Sequence, residues 1–181
     1  MSTAGRMLVA APMLVDPNFH RTVVLVLEHS DEGALGVVLN RPSGLDVAEI
    51  LQSWASLVAP PALVFHGGPV STDSALGLVR TIGKDVLGVR RLPHGVALVD
   101  LDTPSELVAE AVQSMRVFSG YAGWSAGQLD AEIDEGAWFV VDALPEDAFT
   151  TEPDGLWRRV LRRQPPPLSL VASFPADPAL N

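Results

Sequence analysis

The 181-residue chain has no cysteine. That excludes disulfides, thiol nucleophiles and thiolate-held metals. It has a single lysine, Lys84, and its 12 Lys and Arg residues face 22 Asp and Glu, for a formal net charge of −10. A nucleic-acid backbone attracts dense positive charge, so this balance argues against general nucleic-acid binding. Aromatics are sparse, with one Tyr and six Phe, which leaves Val, Leu and Ala to fill most of the core. No apolar run approaches the ~18 residues of a membrane-spanning helix. The short apolar segment Met7–Val15 is broken by Pro12 and followed by Asp-Pro. It reads as a strand and turn, not as a signal core, and the expected location is cytoplasmic.

What is present is a folding composition, with 48% hydrophobic and 19% charged residues. One domain over 1–181 is expected, with room for a small α/β subdomain inserted around 72–120. The run TVVLVLE at 22–28 predicts a strand buried on both faces. A second strand over 34–40 makes a hairpin with it, across a polar turn. Asp46–Val58 has helical spacing and a D-x-x-E start. Short strands are expected at 63–65, 75–80, 86–90, 96–101 and 137–143. Thr103-Pro104-Ser105-Glu106 reads as a helix start, and Leu107, Val108, Ala111, Val112, Met115 and Phe118 continue at helical spacing. Further helices are expected over 125–135 and 156–163, with a last strand at 168–172 after Pro165-Pro166-Pro167. Strands and helices do not alternate regularly, which favours α+β over a Rossmann-like order.

Motifs that could carry chemistry are weak. Gly123-Trp124-Ser125-Ala126-Gly127 fits G-x-S-x-G, but a nucleophile elbow needs a preceding strand and a later histidine. A helix is expected before it, and the last histidine is His94. Gly83-Lys84-Asp85 fails the phosphate-loop pattern. The backbone of His66-Gly67-Gly68-Pro69 is a candidate anion cradle, with a tight turn as the simpler reading. His20, His29, His66 and His94 lack metal-ligand spacing, so no metal is assigned. His29, beside Glu28, Asp31 and Glu32, is the best acid–base candidate. Arg158, Arg159, Arg162 and Arg163 form the only basic cluster, and read first as a solvated helix face. The carboxylates at 130, 132, 134 and 135 read as helix-dipole partners.

Three segments together resemble the YqgE/AlgH family of bacterial proteins. The first runs from Asp16-Pro17-Asn18-Phe19 and Arg21-Thr22-Val23-Val24 through Glu28-His29 and Gly33-Ala34-Leu35-Gly36 to Asn40-Arg41-Pro42. The second is Gly67-Gly68-Pro69-Val70. The third is Gly120-Tyr121-Ala122-Gly123-Trp124, with Gly127-Gln128-Leu129, Glu132-Ile133 and Ala137-Trp138. The resemblance implies an α+β fold, with a mixed, branched β-sheet curled into a pseudo-barrel and flanked by helices. It implies no established enzymatic activity; one branch carries a transcriptional-regulator label linked to exopolysaccharide control. Leu27 stands where many relatives carry a cysteine, and Val79 lies near where relatives tend to carry a histidine. Thiol or paired-histidine roles therefore do not transfer to this chain.

The expected function is a non-enzymatic regulatory or binding protein. Its working surface would hold Asn18, Arg21, His29, Asn40, Arg41, Gly67, Gly68 and Trp124. No catalytic residue and no cofactor is assigned, and the expected partner is a protein or a small anionic ligand. The alternative is a site or enzyme for a phosphorylated or nucleotide-like ligand, with Arg21, Arg41 and the Gly67-Gly68 backbone holding the anion and His29 or Glu28 moving protons. Direct DNA binding through Arg158–Arg163 is the third reading.

Overall fold

The fold grows from the apolar run near residue 25. In the computed structural model, which describes residues 2–83 and 85–177, this run becomes β2 (Val23–Ser30), paired antiparallel with β1 (Met7–Ala10) and β3 (Gly33–Val38). Alternate side chains of a strand point to opposite faces. Val23, Leu25 and Leu27 enter one core cluster; Val24 and Val26 enter another on the other face. Both faces are covered, which is why the run has no polar alternation.

The remaining strands are β4 (Pro42–Asp46), β5 (Leu63–His66), β6 (Val70–Thr81), β7 (Val89–Arg91), β8 (Val96–Val99), β9 (Val112–Ser125) and β10 (Trp138–Val141). Their order is β10-β1-β2-β3-β9-β6-β8-β7, with β4 and β5 branching from β9. The pairings are antiparallel except β5 with β9, where Phe65 and His66 run parallel to Phe118 and Ser119. β9 is the hub, pairing with β3, β5 and β6. The sheet curls into a half-barrel around a cluster drawn from most of its strands, including Met7, Leu25, Phe65, Leu78, Val96 and Phe118. Helix α3 (Leu156–Arg162) plugs this cluster with Leu156, Trp157, Val160 and Leu161. Helix α2 (Gln128–Asp134) and two tryptophans cover the other face beside β1–β3. Strands β6–β8 of the 72–120 segment belong to the same sheet as the rest.

The expected helix over 103–118 does not form. Two 3-10 turns, Ser105–Leu107 and Ala109–Ala111, lead straight into β9. Met115, Arg116, Val117 and Phe118 are buried in succession, as a central strand requires. Their apolar spacing also fits a helix, and burial on both faces decides the outcome. The helix expected over 46–58 shrinks to α1 (Val47–Ile50), with Asp46 Oδ1 accepting from Ala48 N at 2.8 Å. It breaks at Leu51 and continues as a 3-10 segment, Gln52–Leu57, that buries Trp54. The strand expected at 168–172 is a 3-10 segment, Leu168–Ser173, packed beside α3. No helix among the described residues is long and apolar enough to cross a membrane.

Candidate functional site: a cleft around Arg41

A cleft of about 290 Å³ opens where β3 ends and β5 passes into β6. Asn18, Val38, Arg41, His66, Gly68 and Thr72 line it, together with Pro17 and Pro69. No carboxylate lies among these residues. Asn18 is placed by a tight turn in which its N–H donates to Asp16 Oδ1 at 2.8 Å, as the Asp-Pro-Asn signal predicts.

The two glycines are there for close approach. A Cβ on Gly67 would stand 2.3 Å from the Gly120 carbonyl oxygen, and one on Gly68 would stand 2.1 Å from the Tyr121 carbonyl carbon. Gly67 N–H already donates to the Ser119 carbonyl at 2.9 Å. That donor holds the sheet together, His66 N–H likewise donates to the Arg41 carbonyl at 2.8 Å, and Pro69 has no N–H, so of the backbone cradle expected over His66–Pro69 only the Gly68 N–H remains.

Beside them β6 carries a feature that the sequence did not signal. Val70 pairs with Tyr121 and Ala75 with Ser119, so Ser71–Ser74 bulge out opposite Gly120. Ser71 takes φ +49°, a costly left-handed backbone for a non-glycine residue. The bulge is pinned where Ser119 Oγ donates to the Thr72 carbonyl. Bulges often sit beside functional sites, where they re-aim side chains.

Arg41 is half-buried, and its Nη2 donates to the His20 carbonyl at 2.5 Å. It also lines a neighbouring groove of about 360 Å³ with His20, Arg21, Asn40, Pro42 and Asp154. Asn40 works on the backbone: Oδ1 accepts from Val23 N at 3.0 Å and Nδ2 donates to the Arg21 carbonyl at 2.9 Å. Arg21 lies over the Trp157 ring, 3.9 Å from its centroid.

His29 stands elsewhere. It is six residues along β2 from Val23, and a strand rises about 3.3 Å per residue, so the two ends lie roughly 20 Å apart. Its Nδ1 accepts from Thr3 N at 3.1 Å, and Nε2 lies 3.5 Å from Asp130 Oδ2. An accepting Nδ1 puts the proton of the neutral ring on Nε2, by inference from the hydrogen bonds. A separate pocket of about 340 Å³ adjoins it, lined by Ser2, Ser30, Asp31, Gly127 and Asp130. His29 therefore does not share a site with Arg21 and Arg41.

Trp124 is buried and serves packing. Its ring stacks on Phe19 at 6.2 Å and meets Trp138 edge-on at 6.1 Å. Trp124 and Trp138 both donate their indole N–H to Glu132 Oε2 at 2.9 Å, and Gln128 Nε2 donates to Oε1 at 2.9 Å. From the sequence Glu132 reads as a helix-dipole partner; in the fold it is the polar anchor of α2 on the sheet.

A strand, not a helix, precedes Ser125, which corrects one ground for rejecting a nucleophile elbow. The absence of any later histidine still stands. Ser125 N–H and Oγ both meet Gln128 Oε1, at 3.0 and 3.2 Å, so this serine belongs to the start of α2.

The arginine cluster is largely engaged within the fold. Arg163 grips Asp147 through both oxygens, at 2.7 and 2.6 Å. Arg159 donates to Thr150 Oγ1 at 2.6 Å, and Arg158 to the Phe174 carbonyl at 3.5 Å. Arg116 escaped the sequence reading, which set it on a helix. It is fully buried, 4.3 Å from the Phe65 ring centroid, and donates to the carbonyls of Ala59 (2.9 Å), Pro61 (2.8 Å) and Thr150 (2.8 Å). Burial pulls its pKa down to about 10, which still leaves it charged at neutral pH. Among the described residues no group of three or more His, Asp or Glu could hold a metal ion.

A family model described as AlgH-like matches residues 7–169. A UPF0301 protein of Streptomyces avermitilis is 53% identical over 185 residues, covering 99% of this chain and 96% of the relative. Another, from Mycobacterium tuberculosis, is 47% identical over 182 residues, covering 98% and 90%. The crystal structure of a Corynebacterium diphtheriae protein superposes with a TM-score of 0.91 at 36% identity, over 96% of this chain and 93% of that one. The solution structure of the AlgH protein from Pseudomonas aeruginosa gives 0.70 at 32% identity, over 94% and 93%. By sequence and by fold alike, the chain belongs to the AlgH-like family.

Proposed function

We propose that this protein is a binding protein, not a catalyst, and that its working surface is the Arg41 cleft, which takes a small anionic group. One observation carries the reading. In a chain of net charge −10, the residues lining this cleft include Arg41 and His66 but no carboxylate. A guanidinium presents several donors in a fixed fork suited to carboxylate or phosphate. Arg41 also has its backbone fixed, since its carbonyl accepts from His66 N at 2.8 Å. Of the exposed Ser71–Ser74 bulge, Thr72 lines the cleft, and Asp73 beside it is not among the lining residues.

Binding without turnover fits the separation of His29 from this cleft. A cytoplasmic setting and a regulatory output, with the occupied cleft read by a protein partner, belong to the same proposal. Direct recognition of DNA is not part of it, because the arginines of the basic cluster largely hold the protein's own carbonyls and carboxylates.

The test is calorimetric titration with inorganic phosphate, in parallel on the native chain and Arg41→Gln. The expected result is saturable binding that weakens about tenfold or more in the variant, in line with the loss of a charge-assisted bond. Binding that ignores Arg41 would overturn the proposal, as would robust turnover of a phosphorylated substrate that depends on Arg41.

A further inference from the structure

The groove next to the Arg41 cleft is filled in an instructive way. Arg21 has φ +54°, a strained backbone for a residue other than glycine. Asn40 Nδ2 holds this backbone through the Arg21 carbonyl, at 2.9 Å. The strain aims the guanidinium across Trp157. There Nη1 donates to the carbonyl oxygens of Phe174 at 3.1 Å and Pro175 at 3.4 Å. Arg158 Nη2 reaches the same Phe174 oxygen at 3.5 Å. Two like charges thus converge on a neutral acceptor, and burial together with nearby Arg158 holds the Arg21 pKa below its ordinary value. A phosphate oxygen makes shorter and roughly twice stronger bonds to such donors than a neutral acceptor does.

The cleft of about 290 Å³ and the groove of about 360 Å³ share Arg41 as a common wall. A single orthophosphate occupies only one of them at a time. Engaging both arginines takes a ligand with two or more anionic groups. Among the described residues lining the groove the carboxylate is Asp154, whose exposed position lets it turn toward solvent.

We propose that Arg21 is a second anion seat continuous with the Arg41 cleft, and that the carbonyl groups of Phe174 and Pro175 occupy it until a polyphosphate-type ligand displaces them. This rests on the anion-binding reading of the Arg41 cleft and adds its ligand class and its mode of regulation. The C-terminal segment then acts as an internal competitor. It keeps ligands with a single anionic group from engaging Arg21 and moves only when the ligand's second group arrives. Segment displacement is the signal a partner could read.

The experiment uses the full chain, with inorganic triphosphate and orthophosphate as probes, and follows affinity by calorimetry and segment motion by hydrogen exchange. Triphosphate is expected to bind about tenfold more tightly than orthophosphate. On binding, the Phe174 amide, which donates to the Val171 carbonyl at 3.1 Å, should exchange several-fold faster. Arg21→Gln should bring triphosphate down to the affinity of orthophosphate. The exchange measurement needs no variant, so a folding defect in Arg21→Gln does not shield the proposal. Triphosphate binding that needs Arg41, but is no tighter than orthophosphate or leaves Phe174 exchange unchanged, would overturn the second seat and spare the first. Absence of any Arg41-dependent anion binding would remove both.

Discussion

Trp124 and Trp138 donate their indole N–H groups to the same oxygen, Oε2 of Glu132, each at 2.9 Å. The two rings come from β9 and β10, which are not neighbours in the sheet. One half-buried carboxylate therefore ties α2 to two separate strands.

Removing that carboxylate leaves two indole donors facing an apolar cluster. Glu132→Ala should cost about 2–4 kcal/mol, from the hydrogen bonds lost and the donors left unsatisfied. Glu132→Gln keeps an acceptor and should cost less. Chemical denaturation measures the loss, and near-ultraviolet circular dichroism should change with it, because the two indoles lose their common anchor.

Arg116 offers a second test. Arg116→Met removes the donors for the carbonyls of Ala59, Pro61 and Thr150 and should destabilise by about 3 kcal/mol or more. The pH behaviour follows from sign. A base whose folded pKa is lowered is disfavoured by burial while it is charged in both states, and that penalty is relieved only as pH rises through the folded value. For Arg116 that value is about 10. The stability gap between wild type and Arg116→Met should therefore stay flat across roughly pH 6–9. A gap that changes steeply within that range would contradict the assignment.

Glycines at the branch should be intolerant in a graded way. Gly68→Ala places a Cβ 2.1 Å from backbone at Tyr121, so the β5–β6 turn must move off β9. Loss of about 3 kcal/mol or more, or failure to fold, is expected. Gly44→Ala meets nothing within 4 Å and should lie within about 0.5 kcal/mol of wild type. Thermal unfolding of the pair separates crowding from the general effect of adding a methyl group.

The basic cluster should prove to be a stability element. Asp147 is only 5% exposed, and Arg163 pairs with both of its oxygens. Leaving buried Asp147 without its guanidinium is costly, so Arg163→Ala should destabilise by about 2 kcal/mol, whereas Arg162→Ala should be nearly neutral. Neither change should alter duplex DNA affinity at low salt. A clear loss of binding with Arg162→Ala would revive the DNA reading.

The hairpin of β2 and β3 was legible because one signal, an unbroken β-branched run, has one good explanation. The segment 103–118 was not, because spacings of three and four suit a helix and also the two buried faces of β9. The discriminating residue was Arg116. A charge in mid-run looks like a solvent-facing helix position until the carbonyls that receive it are known, and those come from residues 59–61 and 148–150. The site shows the same division. Asn18, Arg41 and Gly68 could be singled out from local turn and charge signals, and the fold brings them together. His29 looked equally apt, but only the strand direction reveals that it lies at the other end of the hairpin. Asn40 and Trp124 read as surface groups from the sequence alone, whereas their polar atoms are consumed inside the protein.

The placement of β9 has a consequence for how the chain is made. β3, β5 and β6 all complete their pairing on this one strand, and it is the last of the four in chain order. Until residues near 112–125 leave the ribosome, β3 has an open edge and β5 lacks its parallel partner. Such non-local pairing is slow to form and exposes open edges meanwhile. The two halves of the sheet therefore cannot mature in sequence. They close together, late, when a single strand arrives, and pulse-labelled hydrogen exchange during refolding should find β3, β6 and β9 gaining protection as one unit.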